Sequence, residues 1–182
     1  MELLETTLST DPKYHGIIVD VRVDTVRLPN GKESRREVVS HPGGVAVLPL
    51  TDDGNAILVR QYRYAKSMEL LEAPAGKLEP GEDHRYSALR ELEEEVGVIP
   101  EHLEYLGGLF VSPGISTETI HLYLATGLKQ GHRHPDEDEF LNIETMPFEE
   151  LLQQVLDGQI PDAKTAALVM RAQLQKEREL HE

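Results

Sequence analysis

The 182-residue chain contains no cysteine and no tryptophan, and only 5% of it is aromatic. Without thiols, it can form no disulfide, thiolate metal centre or cysteine nucleophile. Cations are scarce too: 18 Lys and Arg stand against 33 Asp and Glu, a formal net charge of −15. Nucleic acid and anionic membranes are held by clustered Lys and Arg, so neither is an expected partner. An acidic chain can still handle phosphates where a divalent cation stands between carboxylate and phosphate. Also missing is an apolar run long enough to span a bilayer, and the opening MELLETTLSTDPKYHG has neither a basic start nor an apolar core. These absences predict a soluble, cytoplasmic protein, long enough to bury the core of one domain.

The pattern that is present reads as strands, a helix, more strands and two helices. The first eleven or so residues are polar and are expected to be loosely held. From Gly16, IIVDVRVDTVRL alternates apolar and polar residues, the Asn-Gly of PNGK turns the chain, and ESRREVVSH returns as a partner strand. GVAVLPL and AILVRQY bracket the TDDGN turn like a second hairpin, and strands are expected at 105–111, 119–125 and in FLNIETM. FEELLQQVLDG ends at a glycine suited to a helix C-terminus, and DAKTAALVMRAQLQKEREL opens on Asp162 as a helix cap. The expectation is an α+β protein, an α/β/α sandwich with a mixed sheet preceded by an antiparallel hairpin arm. Residues 1–42 would form the arm and 43–182 the main domain.

The stretch AGKLEPGEDHRYSALRELEEEVGV carries the chemistry. A helix over 83–96 places Glu91, Glu94 and Glu95 at i, i+3 and i+4, within an arc of about 100°. Ala88, Leu89, Leu92 and Val96 share a neighbouring arc and form the packing stripe. Glu93 points away from both groups and is assigned to solvent, and Gly97 ends the helix. Three carboxylates crowded at the negative end of a helix dipole repel one another and that dipole. A hard cation such as Mg2+ removes the conflict, because it takes carboxylate oxygens and keeps waters that phosphates can replace.

Gly76, Glu82 and RELEEEVGV from Arg90 to Val98 match the Nudix box, G-x5-E-x7-R-E-U-x-E-E-x-G-U with U aliphatic, at every specified position. The chain therefore resembles the Nudix hydrolases, whose box binds Mg2+, with Mn2+ a substitute, at a substrate diphosphate. The resemblance implies that Glu91 and Glu95 are the principal metal ligands, with Glu94 adjoining and the Ala75 carbonyl a further ligand. It implies that Arg90 orients these glutamates and that Glu82 supports Arg90. SPGISTE and VRQYRYA followed by ELLEAPAGKLEPGE resemble the ADP-ribose pyrophosphatase subgroup, which has Leu where this chain has Ala73. That resemblance assigns Arg63, Pro113 and Gly114 to substrate binding.

The same subgroup draws its catalytic base from a glutamate on a late loop, here HRHPDEDEF, so Glu139 and Glu137 are the candidates. Glu94 is the alternative, as in other branches of the family. His132 and His134 have no zinc-site spacing and read as loop residues. The implied reaction is hydrolysis of ADP-ribose to AMP and ribose 5-phosphate. The alternatives are another nucleoside diphosphate sugar, such as GDP-mannose or ADP-glucose, or more remotely a non-catalytic ADP-ribose sensor. By the same resemblance the arm crosses to a second subunit, which implies a homodimer with adenine held between chains. No motif marks the adenine contacts, for which Tyr14, Arg22 and Arg27 are the candidates.

Overall fold

A computed structural model describes residues 2–135 and 139–179, in two compact units. The first comprises residues 1–43 and 110–119, and the second 44–109 and 120–182.

In the first unit, strands β1 (Thr6–His15), β2 (Asp20–Arg27) and β3 (Glu33–Ser40) form an antiparallel sheet in that order. The Asn-Gly turn closes β2 and β3 as expected: Gly31 takes φ 81°, and Leu28 and Lys32 bond across the loop. The opening residues depart from expectation. Polar though it is, β1 pairs along β2 from Thr6 to His15, because backbone hydrogen bonds recruit a strand whether or not its side chains are buried. Asp24 in the middle strand accepts from Thr10 Oγ1 at 2.8 Å and Arg22 Nε at 3.1 Å. The loop Phe110–Thr119 joins this unit through Val39, whose N–H donates to Ile115 O and whose carbonyl accepts from Thr117 N–H.

The second unit is built on β4 (Gly44–Pro49), β5 (Asn55–Arg63), β6 (Met68–Glu72), β7 (Ala75–Lys77), β8 (Val98–Phe110), β9 (Thr119–Gln130) and β10 (Leu141–Pro147). One sheet runs β7-β4-β9-β8 with β4 and β9 parallel, and the other runs β10-β5-β6, antiparallel. β4 and β5 are therefore not the hairpin that TDDGN suggested. Their backbones bridge at Leu50 and Ala56 and then diverge into different sheets. Both strands are apolar on two faces, as strands covered on both sides must be, and that pattern does not specify a neighbour.

Helix α1 (His84–Val96) covers one face, and α2 (Phe148–Leu156) and α3 (Ala163–Glu179) cover the other. The two-residue period of the strands makes this possible. Val45, Val47, Val59, Tyr123 and Ala125 pack with Ala88, Leu92 and Val96 of α1. Their alternates Ala46, Leu48, Ala56, Leu58, Leu122 and Leu124 pack with Phe148, Leu151, Leu168, Val169 and Ala172 of α2 and α3. The fold is thus α+β, with a mixed sheet between helices and an antiparallel sheet formed by the first strands. No helix of the described residues is long and apolar enough to cross a membrane.

Candidate active site

The site starts from how α1 is fixed. Asp83 Oδ1 accepts from the N–H groups of Arg85 and Tyr86 at 2.9 and 3.2 Å, capping the first turn. Gly97 ends the helix at φ 70°, its N–H donating to Glu93 O. The apolar stripe is buried in the core, so Glu91 and Glu95, one turn apart on the adjoining arc, are carried over β7 and are themselves 7% and 1% exposed.

β7 and its approach receive them. Glu95 Oε2 accepts from Ala75 N–H at 2.9 Å. The Glu91 carboxyl lies so close over Gly76 that a Cβ built there would stand 1.8 Å from its Cδ and 1.9 Å from Oε1. Only glycine leaves room for the carboxylate, which gives the first residue of the box a steric reason.

Arg90 gathers the remaining acids. Its Nε and Nη2 donate to Glu82 Oε1 and Oε2 at 3.0 and 3.2 Å, and its Nη1 reaches Glu94 Oε2 at 2.8 Å and Glu91 Oε1 at 3.0 Å. The Arg90 guanidinium is held charged, chiefly by the Glu82 hydrogen bond, and in return Arg90 lowers the pKa of Glu82. Glu94 is thus turned to Arg90, and among the described residues no three acidic or histidine side chains close on one point.

One guanidinium does not neutralise this group. Burial pushes the Glu91 carboxyl up to about 7, with Arg90 opposing and Glu94 and Glu139 adding to the rise. Burial pushes Glu95 up to about 8, with the Ala75 N–H opposing, Glu139 and Glu91 adding, and Arg63 opposing. Two buried oxygen-donor side chains short of positive charge, beside a backbone that only glycine permits, suit a hard divalent cation. The Ala75 carbonyl lies on the same strand.

The loop carboxylate Glu139 acts electrostatically on both Glu91 and Glu95, so the structure brings it to them; Glu137 lies outside the described residues. The loop is fastened to the C-terminal end of α1. Gly131 N–H donates to Gly97 O, His134 N–H to Glu94 O, and Arg133 Nε to Glu95 O at 2.7 Å, while Arg133 Nη2 reaches Leu141 O. Glu93, expected in solvent, is half-buried and accepts from His132 N–H, because the returning loop covers that flank.

Arg63, at the end of β5, lies within electrostatic reach of Glu95, and its Nε and Nη2 pair with Glu72 at 2.8 and 2.5 Å. Pro113 and Gly114 lie in the other unit, in a turn where Ile115 and Ser116 N–H both donate to Ser112 O. Three contributors escaped the sequence reading: Glu72, Lys164 and Arg133. Glu72 stood in the quoted LLEAPAG but was given no role, and Lys164 follows the predicted cap Asp162 by two residues.

A model of the NUDIX domain matches residues 40–169. The chain belongs to the Nudix family. A model of the nucleoside diphosphate sugar hydrolase N-terminal domain matches residues 5–39. Among curated relatives, the chain is 45% identical over 174 residues to the methanol dehydrogenase activator of Bacillus methanolicus, covering 94% of each chain. It is 42% identical over 176 residues to the ADP-ribose pyrophosphatase of Bacillus subtilis (strain 168), covering 96% of this chain and 95% of that one. A GDP-mannose pyrophosphatase of Cronobacter sakazakii is 35% identical over 150 residues, covering 77% and 78%. Among solved structures, an ADP compounds hydrolase superposes with a TM-score of 0.86 at 22% identity, over 98% of each chain, which bears on the fold.

Proposed function

We propose that this Nudix protein hydrolyses the diphosphate of ADP-ribose to AMP and ribose 5-phosphate with Mg2+, Mn2+ serving as substitute. The observation that carries the reading is the pair of buried carboxyls, Glu91 over Gly76 and Glu95 on the Ala75 N–H, whose ionisation burial opposes. The ADP-ribose pyrophosphatase relative, at 42% identity over nearly the whole chain, supports the substrate.

In this reading Glu91, Glu95 and the Ala75 carbonyl hold the cation, with Glu94 adjoining, and Arg90 and Glu82 keep the carboxylates in register. A bound divalent ion supplies charge neutralisation on the diphosphate oxygens. Glu139 is the base. It takes a proton as the water oxygen bonds to phosphorus and the bridging P–O bond breaks, and the leaving phosphate keeps the bridging oxygen. Glu137, two residues earlier in the sequence, and Glu94 are the other candidates for the base. Arg63 uses one edge of its guanidinium on Glu72 and offers Nη1 to the substrate. Pro113 and Gly114 are the substrate-binding candidates on the PGISTE loop.

The arm, residues 1–42, would pair two copies into a homodimer around domain 43–182, acting in the cytoplasm on a small molecule. Light scattering tests the dimer, which a one-chain mass at micromolar concentration would exclude. Hydrolysis of ADP-ribose, ADP-glucose and GDP-mannose side by side, with and without chelator and with products identified, tests the activity. Preference for GDP-mannose would move the assignment to the second reading, which the GDP-mannose pyrophosphatase relative supports. Failure to release a nucleoside monophosphate, AMP or GMP, from any of them would leave only a binding role.

A further inference from the structure

Five consecutive residues approaching the box are each held by a different partner. Glu72, 1% exposed, receives Arg63 and, at 2.5 Å, Lys164 Nζ. Ala73 N–H donates to Thr165 Oγ1 at 2.8 Å, and Pro74 O accepts from Val47 N–H at 2.9 Å. Ala75 N–H donates to Glu95, and Gly76 lies under Glu91. Two of these anchors come from the first turn of α3, on the face of the sheet opposite α1.

Those two anchors form a closed circuit. Asp162 accepts from Thr165 N–H at 2.9 Å, from Thr165 Oγ1 at 2.5 Å and from Lys164 Nζ at 2.9 Å. Thr165 spends its hydroxyl proton on Asp162 and so presents its lone pair to Ala73 N–H. Lys164 bridges Asp162 and Glu72, and Glu72 adjoins Ala73 in the chain. Burial alone would raise the Glu72 pKa, yet Arg63 and Lys164 together lower it. With Lys164 present, Glu72 keeps a counter-ion whether or not Arg63 remains wholly paired with it.

We propose that Lys164 and Thr165 are positioning residues for the hydrolase site. From the first turn of α3 they fix the peptide 72–76, and with it the Ala75 carbonyl on one side and the Arg63 guanidinium on the other. Lys164 sets the place of Glu72, which orients Arg63, and Thr165 sets the height of the Ala73–Ala75 backbone. Lysine suits the first task because its ammonium is a compact charge with donors for both carboxylates. The proposal rests on the hydrolase reading above and concerns residues outside the Nudix box.

The test measures Mn2+ binding by electron paramagnetic resonance on full-length, chelator-stripped protein whose fold is checked by circular dichroism. The variants are Lys164→Met, Lys164→Arg and Thr165→Val. Displaced supports of a metal ligand typically weaken metal affinity about tenfold or more, and that loss is expected for Lys164→Met and Thr165→Val. Lys164→Arg should recover most of it. The KM for ADP-ribose should rise further in Lys164→Met than in Thr165→Val, because only Lys164→Met also loosens Arg63. Folded Lys164→Met and Thr165→Val proteins with wild-type Mn2+ affinity would overturn the proposal. Should Lys164→Met not fold, Thr165→Val, which leaves no charge orphaned, decides alone. Absence of Mn2+ binding in the wild type is a separate result that would refute the hydrolase reading itself, and the proposal with it.

Discussion

Replacing Gly76 by alanine should separate activity from stability. The added methyl would begin 1.8 Å from Glu91 Cδ and 2.3 Å from Oε2, against an ordinary non-bonded separation of about 3.5 Å. The carboxyl must therefore retreat by about 1.5 Å. It can do so, because it is the end of a flexible side chain and Gly76 is not at a positive φ, so alanine meets no backbone strain. A misplacement of about 1 Å in a catalytic constellation costs about a hundredfold, or about 2.7 kcal/mol of transition-state stabilisation. Stability should move little. Relief of the burial that pushes Glu91 up to about 7 offers at most about 3 kcal/mol above that pH, and overpacking takes back about 1–3 kcal/mol. The assay is kcat/KM for ADP-ribose at saturating Mg2+ beside a thermal melt of the chelated protein. The melting point should stay within a few degrees of wild type while turnover collapses. A Gly76→Ala enzyme with wild-type kcat/KM would refute the steric argument, and with it the assignment of Glu91 as a ligand.

Other expectations concern charge. Glu139→Gln should lower kcat by about a hundredfold or more while Mn2+ affinity is kept, since general-base contributions are of that size; wild-type turnover would discard Glu139 as the base. In chelated protein Glu91 and Glu95 titrate in the fold at about 7 and about 8, above the ordinary carboxylate value of 4.5. Their stabilising protonation is complete below 4.5 and is lost as pH rises through 7 and 8, so the melting point should fall from pH 5 to pH 9. Added Mg2+ should restore more of it at pH 9 than at pH 6, and a flat profile without metal would contradict this. Glu95→Gln, which keeps an acceptor for Ala75 N–H, should stabilise the chelated protein at pH 9 by at most about 5 kcal/mol and abolish hydrolysis. Chemical denaturation with and without EDTA measures the first effect, and a destabilised variant would speak against the cost of that buried charge.

What could be read in advance was local. The stop at Gly97, the glutamate arc and the cap at Asp162 each depend on residues within a turn or two of one another, and each is present in the fold; Asp83, read as the first residue of the helix, caps it instead. The steric demand of Glu91 on Gly76 was legible only as a box position, because it joins a strand to a helix fifteen residues on. Partners that meet through tertiary packing were not legible. Lys164 reaches Glu72 across ninety-two positions, and the divergence of β4 from β5 is decided by which neighbours each strand finds. β1 was missed because its side chains remain exposed, leaving no apolar alternation to read.

Arg133 ties two points of the chain that flank the segment carrying Glu139, the last turn of α1 at Glu95 and the start of β10 at Leu141. The guanidinium works as a clasp between helix and sheet, so replacing Arg133 by alanine should free the start of β10 from the last turn of α1 while the Glu95 carboxyl keeps its own bond from Ala75 N–H.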